Sequence, residues 1–124
     1  MVGAGAAGLF TALSAASRGA QVTLVSATTC ANTSSYRAQG GLAAALADDD
    51  SPALHLRDTE RVGRGLVRSS AAATLCEQAP SLVAKLEEIG VGFDADPVGG
   101  LSLGLEGGHS RRRVVHAGGS ATGR

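Results

Sequence analysis

The chain has 124 residues, 18 of them Gly, and its aromatic side chains are limited to two Phe and one Tyr. Its 11 basic and 11 acidic residues leave no net charge, which argues against binding to nucleic acid or to an anionic membrane. No apolar run approaches the roughly 20 residues that cross a bilayer, and two Cys are too few for a disulfide framework. We therefore expect a cytoplasmic protein with at most one globular domain.

The first 25 residues predict a helix followed by a strand. Residues 3–8 open an apolar run of small residues that predicts a helix to about Arg18. Gly19 is the expected stop, because glycine adopts the left-handed conformation without a Cβ clash. The β-branched run Val22–Val25 then predicts a buried strand of a parallel sheet.

The middle of the chain predicts a loop and two helices. Residues 28–37 are polar and turn-prone, and the apolar run 42–46 predicts a helix that ends at the acidic residues 48–50. Ser51 followed by Pro52 is typical of a helix N-cap and first position. Ser69–Ser70 is a candidate cap for the next helix.

The last third predicts a helix and then irregular chain. Pro80 predicts a break or kink after Ala79, because proline lacks the N–H group and clashes with the preceding turn. The apolar stripe between residues 82 and 89 predicts a helix closed by Gly90. Short strands are candidates at 91–93, 101–105 and 113–115. Helices with a βαβ start favour the α/β class.

Glycines at positions 3, 5 and 8 have the spacing of the dinucleotide fingerprint GxGxxG. The first permits a tight turn, the second lets the backbone approach a pyrophosphate, and the third lets the helix pack closely on the strand. Only two residues precede the turn, and Ser26–Ala27 stands where an acidic residue is expected after the second strand. A glycine-rich turn without a ligand is therefore the alternative.

The segment SSYRAQGG at residues 34–41 offers hydroxyls, an amide side chain and backbone N–H groups to one ligand. With the glycine turn, it closely resembles the flavoprotein family of succinate dehydrogenase, fumarate reductase and L-aspartate oxidase, in which an AQGG stretch lies against the isoalloxazine ring of FAD. The resemblance extends to HLRDT at 55–59, LEEIGVGFD at 86–94 and EGGHSRRRVVHA at 106–117. The last segment is similar to a signature of the aspartate-oxidising branch.

The resemblance implies a fold and indicates which part of the domain the chain represents. The expected fold is α/β, a partial Rossmann-like FAD-binding domain with a helical insertion, truncated at both ends. Residues 1–124 would form the N-terminal part of that domain, with its first strand and its remainder missing. We expect such a fragment to be inactive by itself.

The resemblance also implies site residues, position by position. The glycine turn would lie along the FAD pyrophosphate: Gly3, Ala4, Gly5, Ala6, Ala7 and Gly8. The loop would line the flavin: Ser34, Ser35, Tyr36, Arg37, Ala38, Gln39, Gly40 and Gly41. Glu106 matches a carboxylate near the substrate amino group, which can pair with an α-ammonium, and His109 is expected on the substrate side. No catalytic residue and no metal ligand is predicted within the chain.

The implied activity is the oxidation of L-aspartate to iminoaspartate, the first step of quinolinate and NAD biosynthesis. Hydride would pass from the substrate α-carbon to flavin N5, with oxygen or fumarate as the final acceptor. Quinolinate synthase is a candidate partner. Ser34 stands where succinate dehydrogenases carry a flavin-linked histidine, so non-covalent FAD is implied. Ala27 and Arg37 replace the family's usual Lys and aromatic residue, so contacts with phosphate or ribose and the flavin packing are expected to differ.

Two other functions stay open: a soluble flavoprotein of the fumarate reductase or succinate dehydrogenase type, and a truncated remnant without activity. The remaining candidate side chains also have two interpretations. His55 suits a surface or capping position on its helix better than a ligand. The loop with His109, His116 and the arginines 111–113 is either a solvated basic loop or faces a dianionic substrate. Cys30 has no evident partner, and Cys76 is expected in the core.

Overall fold

The structure, a computed structural model, describes all 124 residues. They form two compact units: Met1–Gly40 with Ser120–Arg124, and Gly41–Gly119. Helices and short strands occur together, as expected for a mixed α/β chain. No helix has both the length and the apolar character needed to cross a membrane.

The main element of the first unit is helix α1, Ala6–Ala16. It ends as predicted at Gly19, which has a φ of +84°. The Gly19 N–H donates to the Ala16 carbonyl at 2.9 Å and the Ala20 N–H donates to the Ala15 carbonyl at 3.1 Å. These two bonds form a Schellman motif, which satisfies carbonyls at the end of the helix.

The strand predicted at Val22–Val25 is reduced to a single parallel bridge between Val2 and Val25. The Gly3 N–H donates to the Val25 carbonyl at 2.8 Å, and the Val25 N–H donates to the Met1 carbonyl at 2.9 Å. The extended strand that the apolar pattern predicts does not form. The polar stretch after it is a loop, as predicted, with a 3₁₀ turn at Cys30–Asn32.

The second unit contains a two-stranded antiparallel sheet where a helix was predicted. Strand β1, Leu42–Ala43, pairs with strand β2, Val114–Val115. The Ala44 N–H continues the pairing by donating to the Arg113 carbonyl at 2.8 Å. The helix prediction was wrong because an apolar run of five residues is too short to form a stable helix by itself, whereas β2 supplies hydrogen-bond partners and buries Ala44 completely.

Helix α2, Pro52–Gly63, begins as the sequence predicts. The Ser51 hydroxyl accepts a hydrogen bond from the Leu54 N–H at 3.2 Å, and Pro52 occupies the first turn, where it lacks no required bond. The helix ends at Arg64, which has a φ of +47°.

Helix α3, Ser69–Glu88, packs against α2 and departs from the prediction twice. Its N-cap is Arg68 without a side-chain bond, so Ser69–Ser70 does not cap it. The helix is also continuous through Pro80, so the break, one of the two predicted outcomes, does not occur, whereas the kink stays a prediction. Proline removes one internal hydrogen bond, but packing holds the flanking turns, since Cys76 is fully buried and Val83 is 3% exposed. Gly90 closes the helix as predicted, with a φ of +102°.

The core of the second unit joins the sheet to α3. Ala44, Val83 and Val115 form its buried centre, and the partly buried residues packed on them are Leu46, Ala79, Phe93, Leu101 and Leu103. The strand candidate at 113–115 is confirmed as β2, whereas 101–105 contributes only isolated bridges at Leu101 and Gly104. No strand forms at 91–93. Cys76 lies in the interior as predicted, and burial raises the pKa of its thiol.

Candidate functional site

The glycine turn of the first unit requires glycine at two positions. Gly3 has a φ of +102°, a conformation that L side chains rarely adopt. A Cβ at Gly8 would overlap the carbonyl oxygen of Gly3, so the third glycine permits the close approach between the turn and α1. Ala4 is 4% exposed beneath them. The spacing therefore produces the tight turn that a dinucleotide-binding fingerprint needs.

The N-terminus of α1 provides donors for an anion. Its N-cap is Gly5, which has no side chain to cap the helix, and its first turn contains no acidic residue. The first internal bond runs from the Leu9 N–H to the Gly5 carbonyl at 3.0 Å, so the preceding amides have no partner within the helix. One of them, the Ala6 N–H, donates to the Ser35 hydroxyl at 3.0 Å. The residues present fit a phosphate group, because the helix dipole and free amides favour negative charge there.

Two cavities in this unit are lined by half of the predicted cofactor residues. A cavity of about 270 Å³, the glycine-turn cavity, is lined by Ala4, Ala6, Leu9, Cys30, Thr33, Ser35, Tyr36, Thr122, Gly123 and Arg124. A second one of about 290 Å³, the loop cavity, is lined by Ala31, Tyr36, Arg37, Ala38, Gln39, Ser120 and Arg124. Tyr36 contributes to both cavities. Gly41 belongs to the second unit. The other predicted cofactor residues that line neither cavity are Gly3, Gly5, Ala7, Gly8, Ser34 and Gly40.

The C-terminal residues are part of this region, and the sequence analysis missed them. The Gly123 N–H donates to the Ala38 carbonyl at 3.1 Å, and a Cβ at Gly123 would overlap the Ser35 carbonyl oxygen. Arg124 lines both cavities and adds a cation beside the loop. The only signal in the sequence was the triplet TGR at 122–124, which is similar to the family but does not by itself indicate a contact with residues 35–38.

The predicted substrate residues lie in the second unit, on the segment from Glu106 to Arg113. The His109 N–H donates to the Glu106 carbonyl at 3.2 Å, so the two residues share one turn. Their side chains have different partners. The Glu106 carboxylate accepts a hydrogen bond from His116 Nε2 at 2.8 Å, and His109 Nδ1 lies 3.4 Å from Arg113 Nη1.

Arg113 is the anchor of this segment, and it does not face a substrate. Its side chain has no exposed surface and pairs with Asp50 at 2.7 Å and with Asp58 at 2.9 Å. Burial alone would lower the pKa of Arg113, but hydrogen bonds and the charges of both carboxylates raise it. The interpretation of residues 111–113 as a solvated basic loop is therefore wrong for its last member. Arg112 is exposed, and Arg111 lies beside Asp49 at 3.3 Å.

Asp58 holds the same segment from helix α2. Its Oδ2 accepts both the N–H and the hydroxyl of Ser110, each at 2.7 Å. Arg61 donates to Asp58 at 2.9 Å and to the Gly108 carbonyl at 3.0 Å. Burial opposes ionisation of Asp58, but the bonds from Ser110 and Arg113 outweigh it and hold its pKa well below the usual value. The HLRDT segment of α2 therefore orders the EGGHSRRR segment.

His55 lies inside this cluster, so its predicted surface position was wrong. It is 3% exposed, and its ring centroid is 5.6 Å from that of His109. Its Nδ1 is buried without a hydrogen-bond partner. Burial lowers the pKa of His55, and the positive charge of Arg113 lowers it further. His55 is therefore a neutral interior side chain.

Comparisons with known proteins identify the family of the chain. The profile of the FAD binding domain family matches residues 1–124, and the chain belongs to that family, with FAD as its cofactor. The L-aspartate oxidase of Mesorhizobium japonicum is 51% identical over 100% of this chain, which covers 24% of that relative. Among solved structures, Mycobacterium smegmatis Sdh1 has a TM-score of 0.92 at 35% identity, over 98% of this chain and 21% of that one. E. coli quinol fumarate reductase FrdA has the same TM-score at 29% identity, with equal coverage.

The chain therefore has the FAD-binding fold of these flavoproteins and spans about a quarter of the relative's length or less. The resemblance predicted from SSYRAQGG and EGGHSRRRVVHA is confirmed at the level of the family.

Proposed function

We propose that this chain is part of a flavoenzyme that oxidises L-aspartate to iminoaspartate. The observation that carries the proposal is the carboxylate of Glu106, which is 49% exposed on a segment held by the buried Arg113 and Asp58. The segment also has the aspartate-oxidase sequence EGGHSRRRVVHA. A carboxylate at this position suits a substrate that carries an ammonium group next to two carboxylates.

On this proposal, the first unit holds the cofactor without a covalent bond. The glycine turn and the first amides of α1 bind the diphosphate, and the segment 34–41 contacts the flavin ring. The tight turn at Gly8, the uncapped helix start and the polar loop support these assignments. The parallel bridge between Val2 and Val25 is consistent with a Rossmann-like βαβ unit, in which residues 1–124 are the N-terminal part of a larger domain.

The protein residues orient the substrate rather than carry the redox change. Glu106 accepts hydrogen bonds from the α-ammonium, and His109 lies on the same turn. When bound, FAD accepts the two electrons that leave the substrate α-carbon. Positioning of the α-carbon is the contribution expected of the chain. Oxygen or fumarate as acceptor, a place in NAD biosynthesis, quinolinate synthase as partner and a cytoplasmic location belong to the same proposal.

Fumarate reduction is the second candidate, because the fold is as close to FrdA as to any solved structure named above. The two candidates differ in the group that Glu106 meets. Succinate and fumarate offer no cation to a carboxylate, so Glu106 would gain nothing from either ligand.

The test uses the protein expressed from its full reading frame. A yellow protein that releases FAD on denaturation, and forms peroxide with L-aspartate but not with succinate, supports the proposal. Glu106→Gln should raise KM for L-aspartate by about tenfold or more, since a charge-assisted hydrogen bond is lost. Asp48→Asn, an exposed carboxylate on another segment, is the control. A protein oxidising succinate alone supports the second candidate, and one without flavin is the inactive remnant.

A further inference from the structure

The Glu106 carboxylate has a defined partner, His116. The contact joins His116 Nε2 and Glu106 Oε1 at 2.8 Å. A carboxylate can only accept, so the imidazole carries its hydrogen on Nε2 and donates it. Oε2 of Glu106 is left for another donor, and the carboxylate is 49% exposed.

His116 is the fixed member of the pair. Its side chain is 23% exposed, about half the value for Glu106. Its carbonyl oxygen accepts the Asp94 N–H at 2.8 Å, directly after strand β2. A histidine held by backbone bonds can therefore orient a flexible glutamate, whereas the reverse is implausible because Glu106 lies on an exposed turn.

Two glycines make room for the imidazole. A Cβ at Gly104 would lie 3.3 Å from His116 Cε1, and a Cβ at Gly41 would lie 2.9 Å from His116 Nε2. Side chains at these positions would press on the ring, and one at Gly41 would press on the nitrogen that contacts Glu106. The ring thus occupies a slot between β1 and the bridge at Gly104.

We infer that His116 is a positioning residue that holds Glu106 in the orientation in which it receives the substrate ammonium. The inference rests on the proposed function. An unrestrained glutamate samples several rotamers, and ordering it on binding costs side-chain entropy, which weakens the complex. A hydrogen bond that fixes one oxygen beforehand removes that cost and leaves the other oxygen for the ligand.

The binding of two ligands, measured without turnover, distinguishes this positioning role from a structural one. α-Methylaspartate carries the ammonium but has no α-hydrogen to lose, and succinate carries only the carboxylates. By calorimetry on the FAD-loaded protein, His116→Leu should weaken α-methylaspartate binding by about tenfold and succinate binding by less than about twofold. His116→Gln, whose amide can donate in place of Nε2, should restore most of the affinity. Ser102→Ala is the matched control, because Ser102 lines the same surface cavity of about 280 Å³ as His116.

A double-mutant cycle tests whether His116 acts through Glu106. In the Glu106→Gln background, His116→Leu should have little further effect on α-methylaspartate binding, because both changes disrupt the same contact between His116 and Glu106. Additive losses, or an equal loss for both ligands, overturn the inference. Should His116→Leu fail to fold, His116→Phe keeps a ring in the same slot but cannot donate a hydrogen bond, and it should also weaken α-methylaspartate binding selectively.

The outcome for the wild-type protein separates this inference from the proposed function. If the wild-type protein binds α-methylaspartate no better than succinate, the proposed substrate is wrong. If it prefers α-methylaspartate and the His116 variants keep that preference, only the positioning role is wrong.

Discussion

Arg113 forms a bidentate ion pair with Asp50, with Nε 2.7 Å from Oδ2 and Nη2 2.8 Å from Oδ1. Neither side chain has exposed surface. The third bond of Arg113, to Asp58, extends the pair into a network that joins helix α2 to the segment leading into β2. The network fixes the end of the segment that carries Glu106 and His109, so the order of the candidate substrate residues depends on a side chain that touches neither solvent nor substrate.

Arg113→Leu should lower the free energy of unfolding by about 3–5 kcal/mol, because it leaves the buried carboxylate of Asp50 without a cation and Asp58 with Arg61 alone. Arg112→Leu is the matched control. Arg112 is exposed and makes only a 3.5 Å contact with the Leu103 carbonyl, so a change within about 0.5 kcal/mol is expected. Urea denaturation of both variants measures the difference, and equal midpoints would contradict the anchoring role.

Gly8→Ala should weaken FAD binding by more than about tenfold, because the added Cβ overlaps the Gly3 carbonyl and forces the turn away from α1. The readout is the flavin absorbance retained after gel filtration. Gly92→Ala is the control, since nothing lies within 4 Å of the Cβ that it adds. A Gly8→Ala protein as yellow as wild type would show that the turn is not part of the cofactor site.

Stability should fall on acidification in two steps. The pKa of His55 lies below its ordinary value of 6.5 in the folded protein, so the unfolded chain binds its proton first. The free energy of unfolding therefore decreases as pH falls below about 6.5. The pKa of Asp58 is also lowered, so a further loss begins near its ordinary value of 3.8 and continues below it.

His55→Leu separates the two steps. It removes the first titration and the unpaired Nδ1 while leaving the second, so its stability should vary less than that of wild type between pH 6.5 and pH 5. Thermal denaturation across this range is the measurement. If Tm changes with pH in the same way in the variant and in the wild type, His55 is not the source of the first loss of stability.

Pro80→Ala should raise the free energy of unfolding by about 1–3 kcal/mol, since alanine restores a helical N–H in the middle of α3. Pro97→Ala makes the same exchange in a turn and should be neutral or slightly destabilising, because proline there restricts the unfolded chain. Chemical denaturation of the two variants gives the sign of each change in the free energy of unfolding. A loss of stability in Pro80→Ala would mean that the helix depends on the proline.

Local signals predicted local structure well. Ser51–Pro52 begins α2, and Gly19 and Gly90 follow α1 and α3 at positive φ. Each signal works over four or five residues, through a cap or a backbone conformation that few residues adopt. Similarly, the motifs SSYRAQGG and EGGHSRRRVVHA were sufficient to indicate the flavoprotein family.

The predictions for 42–46 and for Pro80 failed for a different reason. Strand β1 forms because Val114–Val115, more than 70 positions away, supplies its hydrogen bonds. Helix α3 passes through Pro80 because its buried residue Val83 packs with Ala44 and Val115, which are remote in sequence. A window of neighbouring residues contains neither partner, so local preference gave the wrong structure in both places.

The sequence by itself determined the cofactor family and the helix boundaries marked by Ser51, Gly19 and Gly90. It also predicts that Glu106 and His109 contact the substrate. Only the tertiary structure decided that Arg113 is buried between Asp50 and Asp58, that His55 is interior, and that His116 contacts Glu106. Charge and hydrogen-bonding capacity are properties of single residues, whereas burial and pairing exist only once distant segments meet.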